Sequence, residues 1–313
     1  MSDTTESLRR KMASAGELRS VVRTMKALAA SSIGQYERSV LALADYYRTV
    51  EAGLGATFRA AQAGPSPSEP AQRKEAPGIT AIVFGTDQGL VGQFNDSVVD
   101  FALKTLGSMG GKPQVWAVGE RVQHRLADAG LDIKGRFPVP TSVEAITGLV
   151  GELQIQCEAS RNEGAQTLEY VFHNRPSSGG QYEPVAVRLL PLDATWQEGL
   201  IRIPWATPRP PEVLGDLTGV LRALIREFLF ISLFQACAES LASENGSRLA
   251  AMQRADKNID ELLERLHHTF NSLRQSRIDE ELFDVVSGFE ALSGLRHQAG
   301  PGGVKRLGSI HQP

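Results

Sequence analysis

The stretch Gly85–Gly92 (Gly-Thr-Asp-Gln-Gly-Leu-Val-Gly) has residue types that could bind a phosphate or supply a catalytic acid. It follows a short apolar run and precedes an amphipathic one, which places it where the amides of a helix N-terminus can bind anions. It contains neither the dinucleotide fingerprint G-x-G-x-x-G nor the Gly-Lys-Ser/Thr of a P-loop. The spacing therefore favours glycines that permit a tight turn over nucleotide binding. Asp87 suits such a turn as well as it suits a catalytic acid.

The histidines show no spacing that is typical of a metal site. His267 and His268 are adjacent, so on a helix their side chains point about 100 degrees apart. His124 and His173 have no cysteine or carboxylate at ligand spacing, and we expect both on a surface or in a helix seam. No serine lies in a nucleophile-elbow context. The sequence therefore predicts no catalytic residue, no metal site and no cofactor.

The composition and charge indicate which kinds of partner and cysteine chemistry are not expected. The 313 residues carry a net charge of −3, a pI near 6.1 and 42% hydrophobic residues, which is normal for a soluble protein. A nucleic-acid partner is not expected, because binders usually show a basic face and a high pI. Cys157 and Cys237 have no metal or disulfide spacing, so we expect reduced, mostly buried thiols.

Targeting and membrane signals are not apparent in the sequence. The amino terminus is acidic and lacks an apolar core, which is atypical of a signal peptide or an organelle presequence. The longest apolar run, Phe228–Ala238, is shorter than the roughly 20 residues of a membrane-spanning helix. We therefore expect the protein to act in the compartment where it is made.

Two long proline-free stretches carry apolar residues at steps of three and four. The first covers about residues 2–63 and the second runs from Pro211 to about Leu295, with Glu212 expected early in the helix. Such stripes face a partner helix along their length. Long helices depend on packing for their stability, so the two most simply pair with each other.

Between these two stretches the spacing of apolar residues changes to one that is typical of an α/β domain. Short apolar strands (79–84, 114–118, 131–139, 166–174 and 185–192) alternate with helices (96–106, 121–129 and 142–161). This alternation predicts a mainly parallel sheet. Thr141 and Glu144 have the spacing of a helix capping box.

These patterns divide the chain into five parts: a coiled-coil helix (1–63), a proline-rich linker (64–78), an α/β domain (79–206), a second coiled-coil helix (207–295) and a flexible tail (296–313). The predicted fold class is thus α/β, with a small open α/β domain inserted between two terminal helices. Basic residues follow the first helix, namely Arg9, Arg10, Lys11, Arg19, Arg23 and Lys26. They form either a solvated face or a surface for an acidic protein partner.

Two segments at opposite ends of the chain resemble a known family. Thr24-Met25-Lys26 followed by Ala29-Ala30-Ser31 is similar to the opening helix of the γ subunit of F-type ATP synthases. Ala242-Ser-Glu-Asn, Arg248, Met252 and the later Phe270-Asn271-x-x-Arg274-Gln275 resemble its closing helix. Gly89-Leu-Val-Gly92 with Asn95 resembles its glycine turn. The long linker and the tail indicate a divergent bacterial, ion-translocating branch.

The resemblance implies an antiparallel coiled coil of the two terminal helices with a Rossmann-like α/β domain at its base. It also implies a non-catalytic central rotor that couples ion flow through a membrane ring to conformational change at catalytic sites. Its partners would be the catalytic and non-catalytic subunits of the hexameric head, an epsilon-type subunit and the membrane ring, at the cytoplasmic side of a bacterial inner membrane. The residues that would contact the catalytic subunits are Met25, Lys26, Arg274 and Gln275, with Arg9 and Arg10 in a similar role. A coiled-coil scaffold and a dimeric α/β enzyme are the alternatives.

Overall fold

The computed structural model describes residues 4–63, 78–160, 167–177, 181–205, 207 and 211–298. Most of the predicted linker, 64–77, and the last part of the predicted tail, 299–313, lie outside the described residues. The five-part division of the chain therefore stays a prediction.

The described elements begin and end with long helices. The helices are α1 (Thr5–Ala63), α2 (Phe94–Met109), α3 (Glu120–Asp128), α4 (Val143–Ser160), α5 (Ala194–Arg202) and α6 (Leu217–Gln298). The strands are β1 (Gly78–Phe84), β2 (Pro113–Val118), β3 (Asp132–Phe137), β4 (Thr167–Pro176) and β5 (Tyr182–Leu190). The chain divides into a terminal unit, Met1–Val21 with Asp256–Pro313, and a central unit, Val22–Ala255.

In the terminal unit, α1 and α6 run antiparallel. Arg277 Nη1 donates to Thr5 Oγ1 at 3.1 Å, and the Arg9 guanidinium lies 5.4 Å from the centre of the Phe270 ring. Further along α1, Arg19 Nη2 lies 2.7 Å from Asp260 Oδ1. Along these contacts the residue numbers increase on α1 while they decrease on α6. The two helices are therefore antiparallel, as the predicted coiled coil requires.

The central unit is built on a five-stranded sheet of order β3-β2-β1-β4-β5. Strands β1 to β4 are parallel and β5 is antiparallel to β4, which confirms the predicted mainly parallel sheet. Both faces are covered, so β1 reads as a continuous apolar run rather than an alternating one. Ala81 and Val83 pack against α2 and α3, while Ile82 and Phe84 pack with residues of α1, α4 and α6.

The middle of α6 crosses this second face of the sheet. The apolar run Phe228–Ala238 is mostly buried there, together with the polar stretch 239–245 that follows it. Tyr47 packs against Phe228 with tilted rings whose centres lie 6.0 Å apart, so α1 contributes to the same core. None of the described helices is both long enough and apolar enough to cross a membrane.

Three predictions about helix ends were wrong: where α6 begins, whether Glu212 lies in it, and which residue caps α4. In each case a side chain near the helix end decided the boundary. α6 begins at Leu217 rather than near Pro211, because Asp216 accepts hydrogen bonds from the amides of Thr218 and Gly219; Glu212 therefore precedes the helix. α4 is capped by Ser142 Oγ, 3.3 Å from the Ala145 amide, and not by Thr141.

The sequence patterns also missed α5 altogether. Asp193 Oδ1 accepts a hydrogen bond from the Trp196 amide at 2.9 Å, and this bond lowers the pKa of the Asp193 carboxyl. At the other end of this helix, Arg59 Nη2 donates to the carbonyls of Ile201 and Ile203. The long helix α1 thus holds the end of α5, a contact between residues too far apart in sequence for a local pattern to reveal.

Candidate partner-binding site

The glycine turn Gly85–Gly92 connects β1 to α2, and its polar groups are bonded within the chain. The Thr86 amide donates to Asn95 Oδ1 at 3.0 Å, and Asn95 Nδ2 donates back to Thr86 Oγ1 at 2.9 Å. The two oxygens of Asp87 accept from the amides of Glu120 and Val139, each at 2.8 Å. Asp87 thus ties the turn to the start of α3 and to the loop before α4, which is a structural role.

The glycines at this turn are required by close packing. A Cβ at Gly85 would lie 2.4 Å from Val122 Cβ, and one at Gly119 would lie 2.8 Å from the Thr86 backbone. Gly119 also has a φ of 111°, which side chains rarely adopt. Gly85 thus allows the turn after β1 to pack closely on α3, and Gly119, between β2 and α3, allows the chain to pass close to Thr86.

The end of the glycine turn is hydrogen-bonded to α6 and exposes an apolar side chain. Ser247 Oγ donates to the Val91 carbonyl at 2.5 Å. The neighbouring Leu90 has a φ of 64° and is exposed. A strained, exposed leucine on a well-fixed turn is typical of a contact surface rather than of a core position.

A buried hydrogen-bonded pair, His173 and Glu239, joins the sheet to α6 in the same unit. His173 on β4 is 1% exposed, and its Nε2 lies 2.8 Å from Glu239 Oε2. Arg175 Nε lies 3.2 Å from the same oxygen, and Gln235 Nε2 donates to Glu239 Oε1 at 2.7 Å. The expectation that His173 lies on a surface or in a helix seam was wrong, since it lies between the sheet and α6.

The ionisation of Glu239 follows from these contacts. Burial opposes the charge, but hydrogen bonds from His173 and Gln235 outweigh it and hold the pKa of the Glu239 carboxyl below its usual 4.5. A carboxyl with a lowered folded-state pKa stabilises the fold above its unfolded pKa. That stabilisation is lost as the pH falls through the folded-state pKa.

We expect Glu239→Gln to lower the free energy of unfolding by about 2–4 kcal/mol at pH 7, because it removes the charge from a buried, hydrogen-bonded network. The difference from wild type should shrink as the pH falls through the folded-state pKa of Glu239, which lies below the usual 4.5. Urea unfolding at pH 7 and at a series of acidic pH values measures this. Glu212→Gln changes an exposed glutamate and is the control. A loss that stayed the same from pH 7 through the acidic range would contradict the assigned charge.

The six predicted contact residues fall in both units. Arg9, Arg10, Arg274 and Gln275 are exposed in the terminal unit, whereas Met25 and Lys26 are half-buried in the central unit. Arg274 and Gln275 lie on α6 between Phe270, which faces Arg9, and Arg277, which faces Thr5. The structure thus places four of the six at one end of the terminal unit.

Beyond Arg277, α6 carries an apolar surface that the sequence patterns did not separate from the coiled-coil stripe. The residues are Ile278, Leu282, Phe283, Val285, Val286 and Phe289. Leu282, Phe283 and Val285 are 64%, 75% and 70% exposed. The described part of α1 begins at Thr5, opposite Arg277, and these six residues follow Arg277 on α6. We call residues 278–289 the apolar tip.

Comparisons with known proteins decide the family. The sequence model of the family described as ATP synthase matches residues 4–292. The ATP synthase gamma chain of Pelotomaculum thermopropionicum is 26% identical over 286 residues, covering 91% of this chain and 98% of its own. That of Cupriavidus necator is 28% identical and covers 92% and 99%. The chain belongs to the ATP synthase gamma family.

Solved structures agree with this family in fold. A Euglena gracilis mitochondrial ATP synthase rotor chain superposes with a TM-score of 0.60 at 13% identity, covering 88% of this chain and 98% of its own. A Tetrahymena thermophila central-stalk chain gives a TM-score of 0.53 at 18% identity and covers 75% and 99%. The predicted coiled coil with an inserted α/β domain is thus the fold of the gamma family.

Proposed function

We propose that this gamma-family chain is the central-stalk rotor of a rotary ATP synthase. It couples ion flow through a membrane ring to conformational change at the catalytic sites of the head. The proposal rests on the family match over residues 4–292. The relatives that align with this chain along nearly their whole length are gamma chains. The chain is a non-catalytic, peripheral subunit, and no group of metal-ligating side chains is found among its described residues.

The terminal unit has features that suit a rotor. A rotor biases each catalytic site toward one state only if its surface differs around its axis, since coupling is a difference in contact free energy. The apolar tip and the exposed pair Arg274 and Gln275 are surfaces of unlike chemistry on one helix. At about 100° per residue, Arg274 and Gln275 lie on the same side of α6 as most of the apolar tip, so this side would contact the surrounding subunits differently from the opposite side.

We assign the contacts with the catalytic subunits to the six residues named above. Arg274 offers a planar donor fork and Lys26 a compact charge, and both suit carboxylates on partner loops. Arg9 and Arg10 add positive charge at the same end as Arg274. Arg10 also pairs with Glu6 on the same helix, and Arg19 pairs with Asp256 and Asp260 on α6.

The remaining parts of the proposal concern place and partners. Bacterial relatives support a location at the cytoplasmic side of a bacterial inner membrane. The partners are the catalytic and non-catalytic subunits of the head, an epsilon-type subunit and the membrane ring. In this proposal the terminal helices 1–63 and 207–295 transmit torque, and the α/β domain 79–206 forms the base of the stalk.

The apolar tip provides the test of this proposal. Exposed apolar patches of this kind mark protein-protein contacts, and burying one leucine-sized side chain contributes roughly 1.5–3 kcal/mol. We expect Leu282→Asp with Val285→Asp to weaken retention of the hexameric head by at least about tenfold while leaving the fold unchanged, since both side chains are exposed.

The measurement is the fraction of head subunits that stay bound to the tagged chain during serial dilution. Leu41→Asp with Ile155→Asp is the matched control, because it places two aspartates at exposed apolar positions outside the tip. Equal retention by the tip variant and the control variant would refute the tip as a head contact.

A further inference from the structure

In the terminal unit, a charged side chain lies in the seam, the row of residues along which α1 and α6 face each other. From Leu8 onward, the buried or half-buried residues of α1 in this unit are Leu8, Met12, Ala15 and Arg19. Those of α6 are Asp256, Ile259, Asp260, Leu263, Leu266, Phe270 and Leu273. Apart from Asp260, both sets follow steps of three and four, the heptad spacing of a coiled coil. Arg19 and Asp256 thus occupy seam positions that are usually apolar.

The exposure of α1 around Arg19 is the reverse of what hydrophobicity alone would favour. Leu18 and Val21 are 60% and 56% exposed. The Arg19 side chain, between them in sequence, is only 33% exposed. Arginine is seldom buried without a partner. The contacts that Arg19 makes in the seam must therefore account for its position.

These contacts are with two carboxylates of α6, one helical turn apart. Arg19 Nη2 lies 2.7 Å from Asp260 Oδ1. Arg19 Nε makes no hydrogen bond with the described residues and lies 3.8 Å from Asp256 Oδ1. The Asp256 side chain is 16% exposed and that of Asp260 is 43% exposed. A partly buried ion pair contributes little net stability, because removing the charges from water offsets their attraction. A role in specificity is the better-attested use of such a pair.

The apolar seam residues of α1 in this unit distinguish weakly between alternative registers. Ala15 is small, and Met12 has a flexible side chain that adapts to many surroundings. Leu8 is the one large aliphatic side chain among them that is fully buried. Apolar packing alone would therefore permit α1 to slide along α6 by one heptad.

The charges of the seam do distinguish these registers. A slide of one heptad, seven residues, moves α1 by about 10 Å. The seam position one heptad from Asp256 is Leu263 in one direction and Leu249 in the other. A slipped register would thus set Arg19 against a leucine, and a buried charge without its partner is strongly destabilising. A polar seam residue is known to select one register in this way.

We propose that Arg19, together with Asp256 and Asp260, is a positioning residue that sets the register of α1 against α6. In this register the Arg9 guanidinium lies 5.4 Å from the centre of the Phe270 ring. A slip of about 10 Å would separate that pair and move the basic residues of α1 away from the contact residues of α6. The consequence for coupling rests on the proposed rotor function, whereas the register itself does not.

Pulsed electron paramagnetic resonance on the purified full-length chain measures the register directly. Ser14→Cys and Glu281→Cys provide two exposed sites for spin labels, one on each helix. The native thiols of Cys157 and Cys237 are buried. The two labelled positions are offset along the helix axes, so sliding changes the distance between them. We expect a single distance for the chain with the native seam.

The decisive variant replaces Arg19, Asp256 and Asp260 together by leucine. Leucines suit a coiled-coil seam, so the helices should stay paired, but a second distance shifted by about 10 Å should appear. Arg19→Lys keeps the charge and should retain the single distance. Lys257→Leu is the control, because Lys257 is exposed and its ion pair with Glu261 lies within α6. The native distance alone in the leucine variant would overturn the proposal, as would a second distance in the control.

A further variant covers the case in which the leucine variant loses helix content. Arg19→Gln keeps the seam polar and removes only the charge, so the same second distance is expected. Its absence would also overturn the proposal.

The ratio of ion pumping to ATP hydrolysis in proteoliposomes then tests the consequence for coupling. If about half of the chains adopt the slipped register, this ratio should fall about twofold in the leucine variant and stay unchanged in Lys257→Leu. A slipped register with an unchanged ratio would overturn the positioning role and leave the rotor proposal intact. Failure of the native chain to retain head subunits would instead contradict the rotor proposal and leave the register assignment intact.

Discussion

Replacing Leu262 by proline is expected to abolish assembly of the chain with its ATPase partners. Leu262 lies within α6, about 45 residues from the start of that helix at Leu217. Proline removes one backbone hydrogen bond and its ring clashes with the preceding turn, at a cost of about 3 kcal/mol or more. That loss corresponds to more than a hundredfold in an equilibrium constant. The measurement is recovery of head subunits with the tagged chain.

The matched control for this change is Leu214→Pro. Leu214 is exposed and precedes α6, so proline there interrupts no helix. We expect the Leu214→Pro chain to assemble as wild type does. A normal complex containing Leu262→Pro would contradict the requirement for an uninterrupted helix at that position.

Arg274→Ala combined with Gln275→Ala is expected to weaken coupling while the fold is retained. Both side chains are exposed, and the one hydrogen bond that either makes to a described side chain is from Gln275 Nε2 to Asp279 at 3.3 Å. Hydrogen bonds from a charged group contribute about 1.5–3 kcal/mol each. Loss of such contacts with the catalytic subunits should therefore lower ATP-driven pumping about tenfold or more.

A voltage-sensitive dye in proteoliposomes measures this pumping whichever ion is transported. The ratio of the pumping rate to the rate of ATP hydrolysis then reports coupling. Gln253→Ala with Arg254→Ala is the control, because it removes another adjacent, exposed glutamine and arginine from α6. If the two double variants pumped equally well, the assignment of Arg274 and Gln275 as contact residues would be wrong.

The sequence predicted the long helices and the parallel sheet because their signals are local and repeated. Steps of three and four along α1 and α6, and the buried run of β1, each require one class of element. The resemblance at Thr24–Lys26 and at Arg274–Gln275 then indicated the family. Exact helix ends were harder to predict, because a single side chain such as Asp216 decides where α6 begins.

Long-range polar contacts could not be predicted in this way. His173 and Glu239 are 66 residues apart in the chain, and only the packing of β4 against α6 brings them together. The sequence also did not distinguish the apolar tip, because the spacing of its apolar residues continues that of the coiled-coil stripe. Only the position of Thr5 opposite Arg277 shows where the described part of α1 begins alongside α6. The six contact residues stay a prediction, because their role depends on partners.

Purification of the tagged chain from its own source, with the bound subunits identified and counted by mass, tests the central claim most directly. The rotor account predicts that ATPase catalytic subunits are recovered in excess over this chain, as a single asymmetric stalk inside a ring requires. Recovery of the chain only as a dimer with itself would contradict that account.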